Sequence, residues 1–398
     1  MSIGTAFHPR TAPLNRKMQW REWAGYVAAS AYADHLDIEY NAIREAAALI
    51  DVTPLYKYLV SGPDAVRLID RIITRDASKL QVGQVYYTCW CDEEGKVIDD
   101  GTVARLDEAT YRWTAADPSL RWFTMNSAGL DVRIEEITET VAALAVQGPL
   151  SRAVVEAATG ERWDDLKYFR RRASRVDDIE VDVSRTGYTG DLGYELWVDS
   201  AQAVRLWDTV MEAGSAFGAR PAGMLALDVA RVEAGLILLE VDYTSSRLAL
   251  IPEQAYSPFE LGILGRFVDF DKAADFVGKR ALEAERDRGG PARRLVGLEA
   301  EWDGIEAAFA AQDLPPALSP MTSREPVPVF AGRRQVGRAT STAWSPILKK
   351  AIALASVARG SADPGTGLRI EWTVEARRGT VPATVVDLPF LDPPRKRA

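Results

Sequence analysis

The chain has 398 residues, of which 47% are hydrophobic and 26% charged, a composition typical of globular proteins with two or three domains. The formal net charge of −9 argues against nucleic acid as a partner, because nucleic-acid-binding proteins present basic surfaces. No apolar run reaches the roughly 20 residues of a transmembrane helix, and no signal-peptide hydrophobic segment is visible at the N-terminus. We therefore expect a cytoplasmic protein that does not bind membranes.

Cysteine and histidine are scarce, with two of each in the chain. Cys89 and Cys91 flank one tryptophan, and without further thiols or nearby histidines this spacing favours buried thiols in a reducing cytoplasm over a metal site. The histidines, His8 and His35, both lie near the N-terminus. Neither a Ser-His-Asp triad nor a metal centre is therefore predicted.

The first 140 residues alternate short helices and strands. Apolar residues at helical spacing predict a helix over residues 38–50, and a proline-aspartate pair opens a second helix over 63–73. Asp117 is the predicted N-cap of another short helix, with Pro118 at its first position. Strands are predicted over residues 56–61, 85–91, 97–106 and 111–116. Residues 56–137 are therefore expected to form a compact α+β unit.

The second part of the chain is predicted to continue with helices and strands and to end in an all-β region. After a strand over 141–146, helices are predicted over residues 151–158, 200–213 and 226–235, the last ending at a C′ glycine. Arg231 and Glu233 lie two positions apart on that helix and cannot share a face, so one of them is expected to point inward. Residues 283–294 predict a linker, and β-rich runs over 295–390 predict a barrel or sandwich.

The segment 184–198, SRTGYTGDLGYELWV, has the most distinctive composition of the chain. Its three glycines allow the backbone to approach a flat ligand closely, and its tyrosines offer faces for stacking. Glu195 offers a pair of acceptor oxygens for ring N–H groups. The residues alone leave two interpretations open, namely the wall of a ligand pocket or an ordinary β-hairpin with a glycine-rich turn.

Three further side chains are candidates for chemistry. Asp99 and Asp100 interrupt a β-rich run, where aspartate is disfavoured, so they are either solvated turn carboxylates or acids held against a ligand nitrogen. Tyr243 follows an apolar run and is either a proton donor to a leaving group or a buried core tyrosine. The chain has no P-loop and no dinucleotide-binding fingerprint after a strand, so nucleotide chemistry is not predicted.

Segment 184–198 resembles the glycine-rich signature of the glycine-cleavage T-protein (aminomethyltransferase) family. Further matching stretches follow the family order, among them IREAAALIDVT, EEGKVIDDG, AVQGP, DVARVEAG, SPFELG and STAWSPILKKAIALASV. The resemblance implies an α+β fold, a three-domain cloverleaf around a tetrahydrofolate site, with a C-terminal β-barrel-like domain. It implies a central folate-binding domain over 1–52 and 140–245, an inserted α+β domain over 53–139 and 246–285, and a barrel domain over 286–398.

The resemblance also implies roles for individual residues. It places Asp99 on the family's essential aspartate near the folate N5 and Glu195 on the glutamate that holds the pterin ring. Tyr188 falls on the signature tyrosine near that glutamate. Arg231 matches the helix motif of the family and is expected to contact the cofactor.

Two positions depart from the family pattern. The arginine that binds the folate glutamate tail in T-proteins is Leu227 here, and the asparagine that precedes the short helix is Ala116. Both changes resemble the demethylase branches of the family, which act on dimethylsulfoniopropionate or on methoxylated aromatic acids. Arg266 and Arg247 are the candidates to replace the lost arginine.

The predicted function is tetrahydrofolate-dependent demethylation of a small methyl donor, an O-methyl aromatic or S-methyl compound, giving 5-methyltetrahydrofolate. Asp99 is expected to orient N5 and accept its proton, and Tyr243 to protonate a phenolate leaving group. One alternative is an aminomethyltransferase that gives 5,10-methylenetetrahydrofolate with a lipoyl carrier protein, a partner that the two departures disfavour. The other is a non-enzymatic folate-binding protein, disfavoured because RTGYTGDLGYE lacks the cysteine of the iron–sulfur assembly relatives.

Overall fold

The computed structural model describes residues 2–397, which form mixed helices and strands. The strands are β1 (Ile3–Gly4), β2 (Trp20–Trp23), β3 (Tyr26–Ala29), β4 (Ala48–Asp51), β5 (Tyr56–Ser61), β6 (Val85–Cys91), β7 (Val97–Arg105), β8 (Thr110–Ala115), β9 (Arg133–Glu136), β10 (Val141–Gln147), β11 (Arg171–Val176), β12 (Ile179–Ser184), β13 (Gly193–Asp199), β14 (Arg220–Pro221), β15 (Arg293–Ala300), β16 (Val327–Ala331), β17 (Arg334–Ser345), β18 (Lys350–Ala358), β19 (Gly367–Val374) and β20 (Arg377–Val386). The α-helices are α1 (His8–Thr11), α2 (Leu36–Glu45), α3 (Ala65–Ile72), α4 (Leu120–Asn126), α5 (Ser151–Thr159), α6 (Ala203–Gly214), α7 (Met224–Glu233), α8 (Lys279–Asp287) and α9 (Trp302–Ala310).

The strands of the described residues are arranged in three open sheets and one barrel. A small sheet has the order β1-β3-β2, a central sheet the order β11-β12-β13-β10-β4-β14, and a third sheet the order β6-β7-β8-β5-β9. The last six strands close into a barrel with the order β15-β18-β17-β16-β19-β20. The predicted α+β class and the predicted C-terminal barrel are confirmed. Within residues 2–397 no helix is both long and apolar enough to cross a membrane.

The central sheet is covered by helices on both faces. Strand β10 is buried along nearly its whole length, which explains its unbroken apolar sequence. Helices α5 and α6 pack on one face through a cluster that includes Val154 and Trp207. Helices α2 and α7 pack on the other face through a cluster that includes Ile43 and Val229. The core therefore fixes strand β13, which carries Glu195, between β10 and β12.

The helix predicted over residues 38–50 is wrong in its second half. Helix α2 ends at Glu45, and the following Ala48–Asp51 is strand β4, which pairs with β10 in the central sheet. Because the first three residues of this short strand are all buried, its sequence is continuously apolar and does not alternate. Apolar spacing alone cannot distinguish such a strand from the last turn of a helix.

Two other predicted boundaries differ from the structure. Helix α4 has Ser119 as its N-cap instead of Asp117, because the backbone N–H of Asp117 donates to the Asp99 carboxylate and holds this residue outside the helix. The linker predicted over 283–294 is also too long, since helix α8 continues to Asp287.

Helix α7 joins the central sheet to the barrel. The Arg231 Nη2 atom donates to Ser341 of β17 at 2.7 Å, and the Ser345 hydroxyl, also on β17, donates to Glu233 at 2.5 Å. Both charged side chains are fully buried. The prediction that only one of them points inward is wrong, because α7 is packed between α2 and the barrel strands.

Candidate functional site

The candidate site is built around two consecutive carboxylates on strand β7. Asp99 is 0% exposed and accepts backbone N–H bonds from Asp100 at 2.7 Å, from Ala116 at 3.0 Å and from Asp117 at 2.9 Å. Strand β8 ends at Ala115, so the next two N–H groups have no strand partner and the carboxylate satisfies them instead. Asp99 therefore anchors the turn that leads into α4.

Asp100 is partly exposed and receives two phenol hydrogen bonds. The Tyr87 hydroxyl donates to Oδ2 at 2.6 Å, and the Tyr243 hydroxyl donates to Oδ1. Burial raises the pKa of Asp100, and the two phenol bonds oppose that rise. Burial, followed by the negative charge of Asp100, raises the pKa of Asp99 well above its usual value. The pair therefore keeps a proton at higher pH than ordinary carboxylates and can exchange it with a bound molecule.

Tyr188 in the glycine-rich segment is close enough to Asp100 for the charge of this acid to act on it. Burial raises the pKa of Tyr188, and the negative charge of Asp100 is among the further causes. Its hydroxyl donates to the backbone oxygen of Ile237. We call the group of Tyr87, Asp99, Asp100, Tyr188 and Tyr243 the acid–tyrosine cluster.

The glycine-rich segment needs glycine where it passes α7. Gly190 has a φ of +71°, and a Cβ atom at this position would lie 2.3 Å from the Cβ of Ala234. The turn can therefore take its path only without a side chain at Gly190.

Glu195 lies on β13 and has separate partners. The Thr186 hydroxyl donates to its carboxylate at 2.5 Å. Burial raises the pKa of Glu195, while this hydroxyl and the nearby charge of Arg112 lower it. Arg112 itself is fixed by Asp182 at 2.7 Å and by the Trp197 ring, whose centroid is 4.0 Å from the guanidinium carbon. Glu195 is partly exposed, so it can accept hydrogen bonds from a ligand.

Arg231 has a structural role instead of the predicted contact with the cofactor. Its guanidinium is fully buried and donates to Asp228 at 2.8 Å, to Asp242 and to Ser341. These contacts, together with one to the Leu236 carbonyl, occupy its donors and tie α7 to the barrel. A ligand cannot reach this side chain unless the helix separates from the barrel.

One member of the cluster, Tyr87, is not singled out by the sequence. Asp100 is a sequence candidate for chemistry as the neighbour of Asp99, and Arg247 is a candidate to replace the arginine lost at position 227. Arg247 lies at the same site, near enough to Asp99 for the aspartate charge to act on it. Its Nη1 atom donates to the Pro118 carbonyl at 3.1 Å, and its guanidinium lies over the Trp122 ring.

The two cysteines and the leucine at the position of the family arginine lie in apolar surroundings. Cys89 and Cys91 are buried free thiols, as predicted. Leu227 is 4% exposed and packs in the apolar cluster between α2 and α7. Across residues 2–397, no group of three or more histidine, cysteine, aspartate or glutamate side chains is arranged to hold a metal ion.

These features together define a class of protein, an α+β chain with a C-terminal barrel and a buried acid–tyrosine site beside a glycine-rich turn. The family model of the GCVT N-terminal domain matches residues 7–272, and the model of the glycine cleavage T-protein C-terminal barrel domain matches residues 293–392. The chain belongs to the glycine-cleavage T-protein family, a family of folate-using transferases, which confirms the resemblance seen in the sequence.

Relatives from other organisms agree with this membership. The aminomethyltransferases of Bacillus pumilus and Halothermothrix orenii are 33% and 34% identical, covering 88% and 93% of this chain and 89% and 95% of their own. The trimethylamine-oxide aldolase of Ruegeria pomeroyi is 35% identical over 100% of this chain but 48% of its own, so this chain spans about half of that relative. The glycine cleavage system aminomethyltransferase T of Bartonella henselae has the same fold, with a TM-score of 0.81 at 22% identity over 98% of this chain and 99% of its own.

Proposed function

We propose that the chain transfers a one-carbon group to tetrahydrofolate, by demethylation of a small O-methyl aromatic or S-methyl compound that gives 5-methyltetrahydrofolate. The observation that carries this proposal is the carboxylate pair of Asp99 and Asp100, with raised pKa values and two phenols bound to the second acid. Burial gives such a pair a higher proton affinity than an ordinary carboxylate, which suits it to accept a proton from a folate nitrogen.

The residues present fit a tetrahydrofolate ligand. Its pterin ring is flat and rich in N–H groups, and the partly exposed carboxylates of Asp100 and Glu195 are acceptors for such groups. The glycine-rich turn allows close approach of the backbone, and Tyr188 offers an aromatic face beside the acids. When bound, the cofactor supplies N5 as the nucleophile that receives the carbon.

In this proposal the protein acts by positioning and by proton transfer. The acid pair orients the N5 region, favours the positive charge that develops there and accepts its proton. Tyr243 is the proposed acid for a phenolate leaving group, because its hydroxyl already forms a hydrogen bond with Asp100. A sulfonium or quaternary ammonium donor leaves as a neutral thioether or amine, so this acid is not needed.

The departures at Leu227 and Ala116 support a demethylase over a T-protein. The Ruegeria relative, named a trimethylamine-oxide aldolase, adds an N-methyl compound to the donors worth testing. A site that carries two adjacent carboxylates also favours neutral or cationic donors over anionic ones. The donor is therefore proposed to be a small methylated molecule of low negative charge.

Aminomethyl transfer is the second candidate function. It is favoured by the aminomethyltransferase relatives, which match 88% or more of this chain at 33–35% identity. In that case the product is 5,10-methylenetetrahydrofolate and the partner is a lipoyl carrier protein. We propose a cytoplasmic location for either function, in keeping with the two buried free thiols.

A product screen separates these functions. The purified protein is incubated with tetrahydrofolate and, one at a time, an aryl methyl ether, a dimethylsulfonium compound, trimethylamine oxide and an aminomethylated lipoyl carrier. Mass spectrometry then measures 5-methyl- and 5,10-methylenetetrahydrofolate against reactions without protein, because formaldehyde condenses with the cofactor spontaneously. A methyl product from a small donor supports demethylation, and a methylene product that requires the carrier supports aminomethyl transfer. Tetrahydrofolate binding without turnover on any donor would overturn both.

A further inference from the structure

A basic cavity lies outside the acid–tyrosine cluster, beside the edge strand β6. It has a volume of about 440 Å³. Four cationic side chains line it, Arg75, Lys79, Arg266 and Arg286, together with Phe267 and Phe270. Three aspartates, at positions 76, 269 and 271, also line the cavity, so the cations exceed the carboxylates by one.

Arg75 is a half-buried cation that has no carboxylate partner within the described residues. Its guanidinium carbon lies 3.7 Å from the centroid of the Tyr86 ring and 4.6 Å from that of Phe267. Its Nη1 atom donates to the Tyr87 carbonyl at 3.1 Å. Burial lowers the pKa of this guanidinium. Two aromatic faces fix the orientation of the guanidinium, and the N–H groups that are not bound to Tyr86 or to the Tyr87 carbonyl are available to an anion.

Two of the three aspartates of the cavity are paired with its lysine and not with its arginines. Lys79 Nζ lies 2.9 Å from Asp76 and 3.4 Å from Asp269. Arg286 lies over the Phe270 ring and contacts Asp287, which is outside the cavity. These pairs leave two other arginines, Arg75 and Arg266, without a carboxylate in contact among the described residues.

Arg266 is the second arginine of the cavity without a carboxylate in contact in the described part of the chain. It is exposed, and no hydrogen bond or ion pair joins it to the other described residues. A planar guanidinium binds carboxylate and phosphate oxygens in pairs, and two such groups facing one cavity suit a ligand with more than one anionic oxygen.

We propose that this cavity binds the carboxylate or phosphate groups of an anionic ligand, held by Arg75 and Arg266. The acid–tyrosine cluster presents carboxylates, whereas this cavity presents two arginines without a carboxylate in contact within residues 2–397, and Tyr87 lies between the two. The Tyr87 carbonyl accepts from Arg75, and its hydroxyl donates to Asp100. Two sources share this chemistry, the oligoglutamate tail of folate or a separate small anion.

Isothermal titration calorimetry with pyrophosphate and with citrate at low salt tests the site directly. We expect binding by the wild-type chain and about a tenfold or greater loss of affinity in Arg75→Gln and in Arg266→Gln, because each removes a charge-assisted contact. Arg333→Gln, an exposed change in the turn between β16 and β17, is the matched control and is expected to bind as wild type. Circular dichroism and melting temperatures show whether Arg75→Gln is folded. If it is not folded, the test relies on Arg266→Gln, because that position is exposed.

A second titration separates the two sources. The affinity for tetrahydrofolate is compared with the affinity for its pentaglutamate form. This comparison rests on the proposed function, whereas the titrations with pyrophosphate and citrate do not depend on it. A gain in affinity for the pentaglutamate that Arg266→Gln removes identifies the folate tail as the ligand. Equal affinities, with pyrophosphate or citrate still bound through the two arginines, identify a separate anion. Absence of binding by either small anion, or equal binding by wild type and both variants, overturns the proposal.

Discussion

Replacing Asp99 with asparagine tests the central acid with little change in size. The carboxylate accepts three backbone N–H bonds, from Asp100, Ala116 and Asp117. Asparagine has a single acceptor oxygen, so at least one of these N–H groups loses its acceptor and faces an amide NH2 group instead. A buried donor without a partner costs about 1–3 kcal/mol. We therefore expect Asp99→Asn to fold with stability reduced by about 2 kcal/mol.

The expected effect of Asp99→Asn on turnover is much larger than its effect on stability. A positioned acid or base contributes about 10²–10⁴-fold to rate, so kcat should fall within that range. Tetrahydrofolate affinity should stay close to wild type, because the Asp99 oxygens are 0% exposed and already accept three backbone N–H bonds, so they add little to binding before the proton moves. Losing the rate while keeping the affinity is the signature expected of an acid that acts on the reaction.

Three measurements distinguish these effects of Asp99→Asn. Product formation by mass spectrometry gives kcat, calorimetric titration with tetrahydrofolate gives the Kd, and thermal unfolding gives the change in stability. Asp303→Asn, an exposed change in α9, is the matched control and should leave all three unchanged. Wild-type turnover in Asp99→Asn would refute the proposed role. Equal losses of affinity and turnover would instead make Asp99 a binding residue.

Three further changes test neighbouring parts of the structure. Tyr243→Phe removes a phenol donor that stabilises the Asp100 carboxylate, so the pKa of Asp100 should rise. The acidic limb of the pH–rate profile should then move to higher pH, and the rate loss should be greatest on an aryl methyl ether. A pH–rate profile that does not move contradicts this expectation. Burial holds the pKa of Lys57 at about 7, below its usual 10.5. Between these pH values the unfolded chain binds more protons than the folded chain, so the free energy of unfolding rises with pH across that window. Lys57→Met should abolish this rise in urea unfolding, and a rise that persists would belong to another group. Arg395→Ala removes a two-bond contact, at 2.7 and 2.8 Å, with the buried Asp191 in the glycine-rich segment. Because the Arg395 side chain is 40% exposed, the expected loss of stability is about 1 kcal/mol. Limited proteolysis of the glycine-rich segment should become faster. The control Arg397→Ala, whose partner Asp392 is more exposed, should have no effect.

The sequence predicted elements well where one physical signal was present. Strand β10 is an uninterrupted apolar run closed by a glycine-proline pair, and its predicted bounds differ from the structure by one residue. Helix α9 was missed within the all-β region over 295–390, although it interrupts that region at Trp302–Ala310. Its nine residues alternate small, acidic and aromatic side chains, and its apolar face becomes apparent only against the barrel strands β19 and β20 on which it packs.

The site could be predicted in part, because chemistry depends on contacts between distant strands. The family pattern identified Asp99 and Tyr188, and the residues alone offered Tyr243. In the structure the charge of Asp100 acts on both tyrosines. The contact of Tyr87 with Asp100 follows from the register of β6 on β7, in which Cys89 is opposite Asp100 and Tyr87 lies two residues along on the same face. Sequence periodicity does not contain that register.

The loss of the family arginine at position 227 changes where a negative ligand group can be held. Leu227 packs among apolar side chains, so an arginine restored there by Leu227→Arg would bury an unpaired charge and should destabilise the fold instead of restoring an anion contact. The two arginines predicted to replace it lie in different places. Arg247 is next to the Asp99 turn, where nearby carboxylates compete for its charge, whereas Arg266 faces a cavity in which two of the three aspartates already have a lysine partner. An anionic tail should therefore gain more affinity from Arg266 than from Arg247. Comparing pentaglutamate binding by Arg247→Gln and Arg266→Gln tests this order directly.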